Sequence, residues 1–252
     1  SFSVGSFATW QPAIRQAGGR TLNILDTSRQ LLRLQGTAEL RKAAKAAEAK
    51  VRRAHKVRVM TEAGTDLHWE IDQQAPFLCH YGAADEPGRL DHWGQGMMAH
   101  FPVEGSANGR VVAQPGDIWI FPYQRFLVSP IDFIVRDGFI REIQGGLDAK
   151  MARDFLTAAM KSSQDMDPFA ISHLGWGLNP KARWDDVVRF NGNIEDLAAS
   201  ARAFPGNFLF STGPGYKRTT AGHIDMPMAD CTIMRDDEVI VERGRLVDAD
   251  MI

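Results

Sequence analysis

Ile131-Asp132-Phe133-Ile134-Val135-Arg136-Asp137-Gly138-Phe139-Ile140-Arg141-Glu142-Ile143 reads as two strands joined by the tightest of turns. Successive side chains of a strand point to opposite faces, so the spacing of Ile131, Phe133 and Val135 marks one buried side. Asp-Gly supplies the positive φ that a two-residue hairpin turn requires. The same texture extends outward in both directions. Upstream, Val57-Arg58-Val59-Met60 and Leu67-His68-Trp69-Glu70-Ile71 flank the turn Glu62-Ala63-Gly64-Thr65, and Arg110–Ala113 and Asp117–Phe121 read as further strands. Downstream, Cys231-Thr232-Ile233-Met234, Asp236-Asp237 and Glu238-Val239-Ile240-Val241 repeat the hairpin pattern.

Helices are predicted over Glu39–His55, Asp148–Lys161 and Ile194–Ala203, and Thr21–Leu25 is predicted as a short buried strand. Arg41, Lys42, Lys45, Lys50, Arg52 and Arg53 share the first helix with Glu39 and Glu48, the pattern of a solvated face. The expected class is α+β. Residues 1–55 form the end of an N-terminal α/β region, and 56–252 form a β-rich domain with flanking helices. The chain opens Ser1-Phe2-Ser3-Val4 without an initiator methionine, so a processed or shortened form is expected.

A net charge of −2 offers no electrostatic reason for a nucleic-acid partner. No apolar run approaches the roughly 18 residues of a membrane span, and no signal peptide is visible. Cys79 and Cys231 are the only cysteines, too far apart for a zinc knuckle, which suits reduced thiols in a cytoplasmic protein. Walker A, Gly-x-Ser-x-Gly and His-Glu-x-x-His sequences are all absent.

Three Gly/Pro-punctuated segments between the predicted elements hold most of the histidines. One runs from Asp85 through His92 to His100, Glu104 and Gly105. Another is Ser172-His173-Leu174-Gly175-Trp176-Gly177-Leu178-Asn179-Pro180. The last runs from Ser211 through Gly213-Pro214-Gly215 to Gly222-His223-Ile224-Asp225-Met226-Pro227. Two imidazoles and one carboxylate are the ligand set that holds non-haem Fe(II) with open coordination positions. His223 and Asp225, two apart, share a face if the stretch is extended. Pro227 then favours a sheet edge. His92 and His100 gain interest from their glycine-rich setting. His55 and His68 read as surface or half-buried residues, and His80 has no supporting pattern. Trp93, Trp119 and Trp176 are packing residues by default, with a ring-binding pocket as the alternative.

These segments resemble the 2,5-dihydroxypyridine 5,6-dioxygenases of bacterial nicotinate and nicotine degradation, a group related to the aminopeptidase T metallopeptidases. The resemblance rests on Ala63-Gly64-Thr65-Asp66-Leu67, Glu86-Pro87-Gly88-Arg89 with His92-Trp93, and Glu104–Gly109, together with the His173 and His223 segments. It implies an Fe(II) bound by His173, His223 and Asp225. It implies acid/base or substrate-orienting roles for His92, His100 and Glu104, with Ser211 as an extra contact. The substrates would be a dihydroxylated pyridine and molecular oxygen, and the assembly a homo-oligomer. The peptidases use two metal ions and an additional glutamate near the position of His173-Leu174-Gly175, where this chain offers His and Trp. Two other readings stand beside the dioxygenase: an aminopeptidase-type hydrolase, and a non-catalytic relative that binds a small aromatic compound. Members of the group extend further at the N-terminus, with an α/β region that can contribute to the substrate pocket and to oligomer contacts.

Overall fold

A computed structural model describes residues 10–24, 28–189 and 199–252. The strands follow in chain order as β1 (Thr21–Asn23), β2 (Lys56–Met60), β3 (Asp66–Glu70), β4 (Leu78–His80), β5 (Leu90–His92), β6 (Met97–His100), β7 (Asn108–Ala113), β8 (Ile118–Trp119), β9 (Arg125–Phe126), β10 (Ile131–Arg136), β11 (Phe139–Gly145), β12 (Leu174–Gly177), β13 (Phe208–Thr212), β14 (Ile224–Met228), β15 (Thr232–Arg235), β16 (Glu238–Glu242) and β17 (Arg245–Leu246). Helices are α1 (Trp10–Gln16), α2 (Ser28–Arg33), α3 (Ala38–Val51), α4 (Leu147–Ala158) and α5 (Asp186–Arg189).

Two antiparallel sheets carry the fold. Eight strands run in the order β11-β10-β7-β3-β2-β15-β16-β17, and five run β14-β13-β12-β6-β4. Strands β2 and β3 alternate buried and exposed residues, so one face of the larger sheet meets water. The smaller sheet is different: β6, β12, β13 and β14 are buried at every position. Its strands are covered on both sides, and Phe133 of the large sheet packs on Phe210 of the small one at 5.3 Å between ring centres. Trp69 packs on Phe208 in the same layer. The class is α+β.

The opening hairpin forms as the alternation requires. Arg136 pairs with Phe139 across the turn, where Asp137 and Gly138 take φ of +52° and +77°. Helix α3 starts where Thr37 accepts a hydrogen bond from the Leu40 amide at 3.1 Å. It buries Leu40, Ala43, Ala44, Ala47 and Val51, while its basic side chains pair with Glu48, Asp85, Glu86, Asp248 and Asp250. Among the described residues, no helix is long and apolar enough to cross a membrane.

Three expectations need correction. The strand expected over Asp117–Phe121 shrinks to Ile118–Trp119, because the Asp117 carboxylate accepts from the amides of Gln114 and Ala229 and turns the chain. The helix expected to reach Lys161 ends at Ala158, and Asp165 instead captures the Lys161 amide. The segments expected between elements contain β5, β6, β12, the end of β13 and most of β14, and β4 precedes the first of them. Strands buried on both faces lose the alternation that announces them. Leu25 and residues 194–198 of the expected elements lie outside the described residues; Ala199–Ala203 forms a 3-10 turn.

Candidate metal centre

Strand β14 lies at the edge of the five-stranded sheet, and this is where Pro227 is tolerated. Asp225 is its second residue and His223 immediately precedes it. His173 immediately precedes β12, which is joined to β14 through β13. The close passage of the His223 segment past the end of β13 depends on Gly213. It has φ of +93°, and a Cβ there would stand 1.9 Å from the Gly222 carbonyl oxygen.

These strands bring His173, His223 and Asp225 together, with one ligand atom from each lying within 4.8 Å of the others. His173 Nε2 stands 3.2 Å and His223 Nε2 3.6 Å from Asp225 Oδ1. The remote side of each ring is tied down. His223 Nδ1 donates to the Thr212 carbonyl oxygen at 2.8 Å, which leaves a lone pair on Nε2. The Ser172 hydroxyl donates to the Pro214 carbonyl, so toward His173 Nδ1, 3.2 Å away, its oxygen accepts. Ser211 Oγ lies 3.4 Å from the same nitrogen. His173 therefore also carries its proton on Nδ1 and presents an Nε2 lone pair.

Asp225 is fully buried. Burial would raise its pKa, but the imidazoles of His223 and His173 and the Arg202 guanidinium hold it well below the usual carboxylate range. Arg202 Nη1 donates to Oδ2 at 3.1 Å. Oδ1, despite the nearby His173, has no hydrogen bond of acceptable geometry among the described residues. Burial pushes the His223 pKa down, which favours the neutral, ligating imidazole. Two nitrogen lone pairs and an unsatisfied carboxylate oxygen thus face one another, and a divalent cation is the group that satisfies all three.

Through His173 and His223 the ligand set opens onto a cavity of about 510 Å³. His92 and His80 line it with His173 and His223, and Phe121 and Arg202 complete the wall near the carboxylate. Phe121 stacks on His223 with ring centres 5.5 Å apart. Trp93, Trp119 and Trp176 are not among the lining residues; the last two are core residues and Trp93 donates to the Leu31 carbonyl.

The other expected site residues separate. His92 is on the cavity wall, its Nδ1 has no hydrogen-bond partner among the described residues, and burial holds its pKa well below the imidazole range. His100 is displaced from the cavity into the core. It stacks on Trp69 and meets Trp176 edge-on, accepts from Trp69 Nε1 at 2.9 Å, and burial lowers its pKa to about 3. Glu104 is exposed and forms a two-oxygen ion pair with Arg218 at 2.7 and 2.9 Å. Arg218 in turn donates to the Gly213 and Ile171 carbonyls, so Glu104 steadies the loops behind the ligands.

Sequence reasoning passed over Arg202, Phe121 and His80. Arg202 and Phe121 lie 23 and 104 residues from Asp225, and only sheet topology joins them. For His80 a signal existed in Asp91, eleven residues later, but linking them required recognising β4 and β5.

A sequence profile of the family described as 2,5-dihydroxypyridine 5,6-dioxygenase matches residues 2–248. A 2,5-dihydroxypyridine 5,6-dioxygenase of Pseudomonas putida is 39% identical over 241 residues, covering 94% of this chain and 67% of that protein. The solved structure of the Pseudomonas putida KT2440 2,5-dihydroxypyridine dioxygenase superposes with a TM-score of 0.90 at 35% identity, over 97% of this chain and 70% of the other. Wild-type AmpT from Thermus thermophilus shares the fold alone, with a TM-score of 0.57 at 14% identity over 87% of this chain and 57% of its own. Fold, sequence and the extent of the match agree: this chain belongs to the 2,5-dihydroxypyridine 5,6-dioxygenase family.

Proposed function

We propose that the chain is a mononuclear non-haem Fe(II) dioxygenase that opens the ring of a dihydroxylated pyridine, converting 2,5-dihydroxypyridine to N-formylmaleamate in nicotinate catabolism. The observation that carries this reading is the convergence of His173 Nε2, His223 Nε2 and the buried Asp225 Oδ1, with both histidines on the cavity wall. The hydrogen bonds behind both rings support it, because they set the tautomers that ligation needs. The reading extends to a cytoplasmic homo-oligomer, as the family resemblance implies.

His173, His223 and Asp225 would hold the iron, which when bound supplies oxygen activation and polarises the substrate hydroxyl. The protein's own part is to orient and to exclude. Arg202 occupies Oδ2 and so directs Oδ1 toward the ligand side. Phe121 fixes the His223 ring by stacking and offers an apolar wall to an aromatic substrate. His92, kept neutral by burial, presents a ring nitrogen that can orient a substrate hydroxyl. Glu104 acts indirectly, through Arg218 and the loop carbonyls it braces.

A dinuclear hydrolase gains less support. Among the described residues, one group of three side chains is spaced to hold a metal ion. Anaerobic reconstitution tests the proposal: one iron per chain is expected, with oxygen consumed stoichiometrically against 2,5-dihydroxypyridine. His223→Ala should lose both iron and turnover. Full iron content and activity in that variant would defeat the assignment.

A further inference from the structure

His80 and Asp91 form a second polar assembly on the wall of the same cavity. His80 ends β4, and the turn into β5 brings Asp91 against it, with His80 Nδ1 3.2 Å from Asp91 Oδ1. Asp91 is completely buried. Its Oδ1 also accepts from the backbone amides of His92 at 2.7 Å and Gly82 at 3.3 Å. Its Oδ2 accepts from the Tyr81 amide at 3.2 Å and from Arg89 Nε and Nη2 at 3.1 and 2.5 Å. A carboxylate so heavily supplied with donors stays ionised, and Asp91 accordingly sits low, at about 2. It can therefore only accept from His80, which places a proton on His80 Nδ1, so that in the neutral imidazole the lone pair is on Nε2.

The setting differs from that of an ordinary satisfied histidine. His80 lines the cavity that His173, His223 and His92 also line, with its side chain 12% exposed. Its ring meets the His92 ring edge-on, centres 5.0 Å apart. Among the described residues no carboxylate is hydrogen-bonded to the His92 ring, and Asp91 acts on it without direct contact; His80 has that carboxylate in direct contact. A base oriented and electrostatically supported by a buried carboxylate is the arrangement that takes up a proton during catalysis.

We propose that His80, oriented by Asp91, is the base that removes the ring-hydroxyl proton of the substrate in this cavity. The inference rests on the dioxygenase reading above, since it presupposes a hydroxylated ring as substrate. The hydroxyl O–H bond breaks, its electron pair stays on the substrate oxygen, and an N–H bond forms at His80 Nε2, directly or through one water. The resulting imidazolium is compensated by Asp91, and the proton leaves to bulk water along the cavity, whose lining includes the partly solvent-exposed Lys45 and Glu86. His92 orients the hydroxyl, and His80 keeps the proton.

The test compares wild type, His80→Gln and His80→Ala, each loaded with Fe(II) without oxygen and titrated with 2,5-dihydroxypyridine. Absorption distinguishes the neutral from the deprotonated ring, independently of ring cleavage. Wild type is expected to bind the anion, and both variants to bind the neutral form with unchanged iron content. On admission of oxygen, kcat should fall about 10²- to 10⁴-fold with little change in KM, the range for loss of a general base. Free imidazole should restore part of the His80→Ala activity, which a purely structural role does not predict. Variants that bind the anion and turn over within threefold of wild type would overturn the proposal while leaving the dioxygenase reading intact. A wild type that binds iron but no dihydroxypyridine would overturn both.

Discussion

Asp225→Asn removes one charge and almost no volume, so it isolates what the carboxylate does. Its Oδ2 pairs with Arg202 at 3.1 Å, and the two side chains are 0% and 13% exposed. Removing one partner of a buried ion pair costs about 3–5 kcal/mol, because the survivor is left charged and desolvated. The residual exposure of Arg202 argues for the lower end, about 3 kcal/mol. In a chain of this length each kcal/mol moves Tm by about 2–4 °C, so the metal-free variant should melt about 6–12 °C below wild type. Iron adds a separate difference. A ligand at 100 times its Kd stabilises the folded chain by about 2.7 kcal/mol, an increment of about 5–11 °C that the variant should lack. Anaerobic scanning calorimetry with and without Fe(II) measures both increments in one series. If the metal-free variant melts with wild type and gains the same increment from Fe(II), the role given to Asp225 is wrong.

Other perturbations separate the remaining roles. Burial would raise the Asp91 pKa, but His80 and Arg89 hold it at about 2, below its ordinary 3.8. A depressed folded pKa stabilises above the unfolded value, so about 2 kcal/mol should disappear as pH falls from about 4 to about 2, and an Asp91→Asn comparison by urea unfolding should show the gap closing in that window. His100, lowered to about 3 by burial, binds its proton more readily in the unfolded chain. Its contribution should therefore erode by up to about 1.4 kcal/mol per pH unit as pH drops below about 6.5, and His100→Phe should lessen that slope in the same unfolding series. Glu104→Gln breaks an exposed pair and should cost less than about 1 kcal/mol, with turnover within a fewfold in a steady-state assay. Gly213→Ala forces a Cβ against the Gly222 carbonyl and should reduce iron content measured by metal analysis, since the His223 segment must move.

The amphipathic strands of the large sheet and its Asp137-Gly138 hairpin were legible because one face meets water and writes itself as alternation. The small sheet was not: β12, β13 and β14 are apolar or small at every position except at their site-bearing ends. That sheet is where the site stands. His223 and Asp225 could be paired from their spacing, and His173 offered a second imidazole, but its assignment to the same ion came with the family resemblance. His100 and Glu104 looked equivalent to His92 in the sequence, since all three occupy one glycine-rich stretch.

Sequence alone determined the local chemistry: which residues can ligate, where turns need positive φ, and which strands have a wet face. Tertiary structure decided which of those residues share a cavity. Antiparallel pairing of β12, β13 and β14 sets His173 beside Asp225 across 52 residues of chain. The same pairing of β4 and β6 turns His100 into the core between two tryptophans, while the β4–β5 turn gives His80 its buried carboxylate. The physical reason is that burial on both faces erases periodicity, whereas proximity between distant segments is set by register, which no local pattern encodes.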